Sequence, residues 1–529
     1  MKPIYTADFE TDPFHHKQTI APFCCGLYNG SDFSSWWSPR CADKLAETIR
    51  KFPEPSIIFI HNGGKFDVFL GLLEHFEPEL RIINGRIVQA FIRGSHGVHE
   101  IRDSYAIIPI PLAAYKKDEI DIEKLERENR DANRVEILSY MRGDCVYLHE
   151  LVTAFLDEFG DKLTIGSAAM QQLRRFHPFE TVGKTFDEKF RSQFFFGGRV
   201  QCFQSGILPA PKSGWKVYDV NSMYPFVMKN MRHPSGGDYD IERRITSRTA
   251  FIVAEGTQRT ERGAFPVRSK TGIDFETRTG TFLFSAHEWE ASQRFGFFRV
   301  SRVIKTYGWD EWITFDEFVD HFYSARLKAK ASGDTIRLLF YKLILNSAYG
   351  KFAQNPENYF DWAITFGTIL DDGWQIHTSH NGGKIIVWKK PVERHSYYDV
   401  AIGASITGAA RSVLMQGIAG SDDLAYCDTD SIIAGNLRGV EFSDTVLGAW
   451  KLEATGDRIA IAGKKLYALF DGGWGDEHCV KKATKGARLP PEDIVRVARG
   501  ETIRFEKQAP TFKLSGDVTW ISRQIKRTA

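Results

Sequence analysis

The stretch "LAYCDTDSII" runs from Leu424 to Ile433 and sets Asp428 and Asp430 one residue apart inside an apolar run. A strand interior disfavours aspartate, because its pleated, half-buried surface favours β-branched and aromatic side chains. Two carboxylates at i and i+2 leave one face of a strand and repel each other. A divalent cation relieves that repulsion. The apolar flanks would anchor the pair in a core.

Upstream, "YDVNSMYP" supplies a third carboxylate, Asp219, on a strand. Between these segments lies "RLLFYKLILNSAYG", where Lys342, Asn346 and Tyr349 fall at i, i+4 and i+7 and share a helix face. A cation, an amide and an aromatic ring on one face suit a triphosphate, a sugar or base edge, and a stacked base. Lys330 adds positive charge for the phosphates, and Arg337 is a further candidate. Carboxylates holding two ions beside such a face point to phosphoryl transfer with a nucleotide substrate. Hydrolysis alone would not require the Lys–Asn–Tyr face. Alone, "KLILNSAYG" also reads as a buried helix capped by Gly350.

A second acidic set lies near the N-terminus. "DFET" puts Asp8 and Glu10 on one face of a strand, "HNGGKFD" offers Asn62 and Asp67, and "YMRGD" sets Tyr140 and Asp144 on one side of a long helix. Three acidic clusters from three elements can converge at one end of a sheet. Hard divalent ions such as Mg²⁺ or Mn²⁺ take oxygen ligands of this kind. Two ions about 3.5–4 Å apart can activate a water and stabilise the leaving oxygen of a phosphodiester. A tyrosine beside the third acid would orient that water. One such pair alone is more often a cap or a solvated turn; the ordered triple is not.

The remaining sequence bounds these readings. With 529 residues the chain is too long for one core, and its length suggests about three or four domains. Its 69 Lys and Arg nearly balance 67 Asp and Glu, so a basic groove would have to be offset by acidic sites. Seven scattered cysteines, with no C-x-x-C, suit reduced thiols rather than a disulfide framework or a zinc site. "MKPIYTADFETD" lacks the apolar core of a signal peptide, and no apolar run approaches the ~18 residues of a membrane span. "PIYTADFE" and "SIIFIHNG" read as strands, while "DVFLGLLEHF", "RVEILSYMRGDCVYLHELVTAFLDEF" and "SITGAARSVLMQGIAG" read as helices.

Together these motifs resemble family B DNA polymerases. "DFET", "N…FD" and "YxxxD" are similar to the three exonuclease motifs. "DVNSMYP", "KLILNSAYG" and "YCDTDS" are similar to polymerase motifs A, B and C, and the resemblance implies that the last sits on a β-hairpin with its aspartates near the turn rather than inside a flat strand. "KLY" (Lys465 to Tyr467) resembles K-x-Y, and "TGAAR" (Thr407 to Arg411) resembles T-x-x-A-R. "FFFGGR" resembles the Y-x-G-G-R linker, with Phe195 where tyrosine is usual. The resemblance implies a multidomain α/β and α+β fold: an RNase H-like 3′–5′ exonuclease domain and a right-hand polymerase with palm, fingers and thumb.

It also implies roles. Asp219 and Asp428 bind two Mg²⁺ or Mn²⁺ ions with the Val220 carbonyl, and Asp430 supports them. Tyr224 excludes a 2′-hydroxyl, Lys330 and Lys342 hold the triphosphate, and Asn346 and Tyr349 line the nascent base pair. Lys465 and Tyr467 grip the primer terminus, Thr407 and Arg411 hold the template backbone, and Gly197 and Gly198 pass DNA between the sites. In the nuclease, Asp8, Glu10, Asp67 and Asp144 are the metal or catalytic carboxylates, and Tyr140 orients water. Asn62, Phe66, Ser104 and Tyr105 hold the single strand, and Lys116 or Lys117 is the candidate catalytic lysine.

The short N-terminal lead-in resembles the protein-primed branch of bacteriophages and linear plasmids. Two insertions are expected, one engaging a terminal protein and one aiding strand displacement. The resulting divisions are residues 1–185 exonuclease, 186–240 linker and first palm segment, and 241–320 palm with the terminal-protein insertion. Residues 321–354 follow as fingers, 355–400 as the strand-displacement insertion, 401–450 as palm with motif C, and 451–529 as palm end and thumb. The expected partners are template and primer DNA, dNTPs and a terminal protein. A monomer in the host cytoplasm, bacterial for a phage gene, is expected, with no membrane partner. A family member without a terminal protein, and a non-catalytic DNA-binding replication factor, are the alternatives.

Overall fold

A computed structural model describes residues 2–14, 20–77, 79–116, 118–270, 272–355, 359–380, 384–507, 510–512, 514 and 518–528. The N-terminal sheet is built on Ile4–Thr11, whose neighbour Ile57–Ile60 runs parallel to it, as does Gly97–Asp103 beyond that. Parallel neighbours need a crossover, and the helix Cys41–Arg50 lies within the first one. It covers one face, burying Leu45, Ala46 and Ile49 against Phe9, Ile58 and Ile60. The helix Arg134–Phe159 covers the other face, where Leu148 and Leu151 meet Ile57 and Phe59. Two covered faces explain why "SIIFI" is apolar throughout rather than alternating.

Pro22–Tyr28 and Phe33–Trp37 extend this sheet on one side, and Arg86–Gly94 and Glu79–Ile83 on the other. There a distant part of the chain joins. Phe360–Thr365 pairs with Glu79–Ile83, and Ile385–Pro391 and Gln375–His380 follow, giving ten strands in one sheet.

A five-stranded antiparallel sheet forms the centre of the chain, in the order Trp450–Gly456, Trp215–Val220, Ser431–Ala434, Tyr426–Asp428, Val200–Cys202. The helix Val400–Gly420 is buried along most of its length. Gly417 permits its approach to the sheet: a β-carbon there would lie 2.5 Å from Ile432 and from Trp450. The helices Asp316–Ser332 and Thr335–Phe352 form a hairpin, broken at "ASGD". Gly333, at φ +74°, ends the first helix, and the Asp334 carboxylate accepts from Arg337 N to begin the second.

Between these parts, Asp240–Glu242, Phe298–Gly308, Thr249–Gln258 and Thr279–Ser285 form a four-stranded sheet with the helix Ala286–Arg294 packed on it. A last sheet joins Cys479–Thr484, Leu466–Phe470, Arg458–Gly463 and Gly206–Pro209, with the helix Pro491–Ala498 against it. Among the described residues no helix is long and apolar enough to cross a membrane.

Two expectations change. "DVFLGLLEHF" is no regular α-helix: Val68–Leu72 is a wide π-helical turn, and Leu73–His75 a 3-10 turn. Gly71 is pressed so close to Ala42 that a β-carbon would lie 2.4 Å from it, and glycine weakens an α-helix at that point. Gly350 is not a cap either, since its helix continues to Phe352.

Candidate active sites

Strand register builds the floor of the central cleft. Asp428 stands opposite Ser431, Ser431 opposite Asp219, and Asp219 opposite Lys451. Directly opposed residues share a face, so Asp219 and Asp428 flank Ser431 on one surface. Asp430 is not part of that row. Thr429 adopts φ +58° and turns the chain, so the expected picture of two aspartates on one strand face is corrected. Asp430 N donates to Asp428 O at 2.6 Å, and Asp430 O accepts from Val220 N at 2.9 Å. The Thr429 amide donates to Arg199 O at 2.7 Å.

Cations already stand on these acids. Lys465 Nζ lies 2.9 Å from Asp428 Oδ1. Lys451 Nζ lies 3.2 Å from Asp219 Oδ1 and 3.1 Å from Glu453 Oε1. Burial pushes the Asp219 carboxyl up, with Lys451 opposing it. Burial, and then the charge of Asp219, push Asp430 to about 6. Acids that raise one another's pKa in a shared recess are the donor set a hard divalent cation fits.

The cleft above them has a volume of about 670 Å³. Lys342, Asn346 and Tyr349 line it from one helix, and Arg326 and Lys330 from the other. Tyr224 stacks on Tyr349 with centroids 3.9 Å apart and planes 9° apart. Burial raises both phenols. Tyr467 is buried behind the floor, its ring 5.1 Å from Tyr426, and burial followed by Asp428 pushes it up to about 12. Arg326 and Lys451 were not foreseen. Arg326 had a signal, since it precedes Lys330 by one helical turn. Lys451 had none, because strand register is invisible in a single sequence.

The four N-terminal carboxylates also lie within electrostatic reach of one another. The Asp8 carboxyl is pushed up to about 8, first by burial and then by Asp144. Glu10 is held well above its usual range by burial and by Asp8, Asp144 and Asp67 in turn. Asp67 is raised by burial and Asp8. Asp144 rises to about 6 through burial, with a hydrogen bond to Tyr140 opposing it. Four acids from two strand-end segments and a helix therefore lie close enough to act on one another, with Tyr140 hydrogen-bonded to Asp144. Among the described residues no three histidine, cysteine, aspartate or glutamate side chains are grouped so that they could hold a metal ion as they stand.

Of the expected DNA contacts, Arg411, Thr407 and Ser104 are buried, whereas Tyr105, Asn62 and Phe66 are not. Arg411 is buried, pairing with Glu288 at 2.8 Å and donating to Phe196 O at 2.7 Å and Gly197 O at 2.8 Å. Thr407 is buried too and donates to Ala404 O. Neither side chain faces solvent where a template strand could lie, because their helix is enclosed by the core. Ser104 is fully buried, 2.9 Å from His61 Nδ1, so it supports His61 rather than touching DNA. Tyr105 lies under the Arg86 guanidinium at 4.5 Å. Asn62 takes φ +61° at the start of its turn, and Phe66 meets Phe14 edge-on at 5.3 Å. Gly198 passes so close to Thr429 that a β-carbon would lie 2.8 Å from it. Lys116 is turned to Glu150 at 2.8 Å, and Lys117 lies outside the described residues.

The chain was compared with known proteins. A family model described as "DNA polymerase type B, organellar and viral" matches residues 80–372. The chain is 47% identical to the DNA-directed DNA polymerase of Enterobacteria phage PRD1, over 99% of this chain and 98% of that one. It is 24% identical to the DNA polymerase of Bacillus phage phi29, over 88% and 86% of the two chains. Among solved structures, phi29 DNA polymerase complexed with primer-template DNA and incoming nucleotide substrates superimposes over 100% of both chains. The TM-score is 0.75 and the identity in that alignment 19%, so the overall fold is shared. The motif order, the cleft and these relatives lead to one conclusion: the chain belongs to the type B DNA polymerases of organelles and viruses, and is a DNA-directed DNA polymerase.

Proposed function

We propose that this polymerase replicates a viral or plasmid genome, joins synthesis to 3′–5′ proofreading, starts on a terminal protein and displaces the non-template strand. One observation carries the catalytic part. Asp219, Asp428 and Asp430 face Arg326, Lys330, Lys342 and Asn346 across a single cleft of about 670 Å³. Acids on the floor and cations on the wall are the charge distribution a nucleoside triphosphate needs.

Two bound Mg²⁺ or Mn²⁺ ions, held by Asp219, Asp428 and the Val220 carbonyl, would supply charge neutralisation and a more acidic 3′-hydroxyl. Lys342, Lys330 and Arg326 bind the triphosphate and neutralise the departing pyrophosphate. Tyr224 and Tyr349 part to admit the base and sugar; Tyr224 then lies under the sugar and excludes a 2′-hydroxyl. Lys465 holds the primer terminus beside Asp428, with the buried Tyr467 supporting the floor behind it. In the nuclease, Asp8, Glu10 and Asp144 would hold a metal pair, with Asp67 as a further catalytic carboxylate and Tyr140 placed to orient the attacking water. Asn62, Phe66 and Tyr105 receive the frayed strand.

Protein priming is supported by the separate sheet at residues 240–308 and by the phage polymerases to which the chain is similar. Such an enzyme works in the host cytoplasm, as a monomer, on template, primer and dNTPs. Asp428→Ala is expected to lower dNTP incorporation by at least about 10³-fold while primer degradation survives. Asp8→Ala with Glu10→Ala should do the reverse. Primer extension by the Asp428 variant would refute the assignment. For initiation, labelled dATP is incubated with template and a candidate terminal protein. A protein–dAMP adduct is expected, and extension of free primers alone would favour a relative that needs no terminal protein.

A further inference from the structure

The linker between the two catalytic halves, residues 193–199, is gripped from one side by the sheet-and-helix unit at residues 240–308. Arg268 donates to the carbonyls of Arg191 at 3.2 Å, Ser192 at 3.1 Å and Phe195 at 2.6 Å. Its guanidinium also lies 4.5 Å from the Phe196 ring centroid. Glu288, fully buried in the helix of the same unit, pairs with Arg411, which holds the Phe196 and Gly197 carbonyls. Glu288 is itself fixed by a reciprocal cap with Ser285. In the other direction, the buried guanidinium of Arg199 reaches back to the carbonyls of Arg262 and Gly263.

The far end of the linker rests on the catalytic turn. Arg199 O accepts the Thr429 amide at 2.7 Å, and Gly198 abuts the Thr429 side chain. Thr429 is the left-handed residue that orients Asp428 and Asp430. Contacts therefore run without a break from the inserted unit, through Arg268, Glu288 and Arg411, to the turn that carries the catalytic carboxylates.

We propose that the unit at residues 240–308 is a clamp on the linker, which steadies the motif C turn and so sets the balance between synthesis and primer degradation. Arg268 and Glu288 are positioning residues in this account: they act through the linker and touch no reacting atom. Loosening the clamp weakens the polymerising mode first, because the linker bears on Thr429 and on no nuclease carboxylate. The proposal rests on the reading of the N-terminal site as a proofreading nuclease.

The full-length Arg268→Gln variant tests it. Arg268 is exposed at the surface, so the variant should keep its fold and its melting temperature. The readout is the dNTP concentration at which labelled primer-template passes from net degradation to net synthesis. It should rise by about 3-fold or more, the scale of a moderate coupling, with partial rescue in Arg268→Lys. Amide exchange at residues 195–199 should quicken in parallel. Glu288→Gln, which keeps the side-chain volume, should shift the balance the same way. An unchanged switching concentration in both variants overturns the proposal, as does unchanged exchange across the linker. If the wild-type enzyme degrades no primer, the nuclease reading falls. The clamp is then judged by linker exchange and by the KM for dNTP, which should rise in Arg268→Gln.

Discussion

Asp8 and Glu10 show what crowding buried carboxylates costs a fold at the scale of single residues. An unfolded aspartate titrates near about 3.9, whereas the folded Asp8 carboxyl is pushed to about 8. Between those values the folded state binds the extra proton, so stability falls as pH rises. The metal-free enzyme in a chelator should therefore melt at lower temperature at pH 9 than at pH 6. Asp8→Asn should flatten that slope, and so should Mg²⁺. A pH-independent melting curve in chelator would show that these acids are not held together. Such residues were legible beforehand, since their spacing on strand and helix dictates which face they leave. The direction of a buried side chain was not. Arg411 matches a DNA-contacting motif, yet its guanidinium is used up by Glu288 and two carbonyls. Glu288 sits in an ordinary capping box, Ser-x-x-Glu, and its sequence gives no hint of a partner more than a hundred residues away.

At the scale of elements, local signals decided most outcomes. Arg134–Phe159, Thr335–Phe352 and Val400–Gly420 follow helical spacing, and the last two begin at aspartate caps. Spacing alone cannot tell two aspartates around a threonine on a strand from the same three residues in a tight hairpin; the family resemblance pointed to the hairpin, and the antiparallel pairing around Thr429 bears it out. The helix Val400–Gly420 depends on one cap. The fully buried Asp399 accepts from Ala401 N and Ile402 N, and also from Gly236 N at 3.1 Å. Burial pushes its carboxyl to about 7. Asp399→Ala should cost about 2 kcal/mol or more, for the lost cap and the stranded Gly236 amide. Asp399→Asn keeps an acceptor and should cost far less. Denaturant titration of the two variants separates these outcomes, and equal losses would show that the cap contributes nothing.

At the scale of the whole molecule, the sequence pointed to an inserted segment at 355–400 but not to where it docks. Pairing of Phe360–Thr365 with Glu79–Ile83 is a contact between regions far apart in the chain, and no local pattern encodes it. The junction should make the N-terminal sheet and the segment at 360–391 unfold together. Ala363→Pro places a residue without an amide hydrogen opposite Glu79 and clashes with the ladder. Calorimetry should then resolve an additional early transition, whereas a single unchanged transition would show that the junction carries no cooperativity.

That junction has a second consequence, for solubility. Without the inserted strands, Glu79–Ile83 would be the bare edge of a large sheet, with a row of open backbone donors and acceptors. Such edges recruit strands from other chains. The strand Phe360–Thr365 thus shields the N-terminal sheet from self-association. An N-terminal fragment without it should aggregate; one designed to stay dispersed would need a charged or proline-bearing strand in place of Phe360–Thr365.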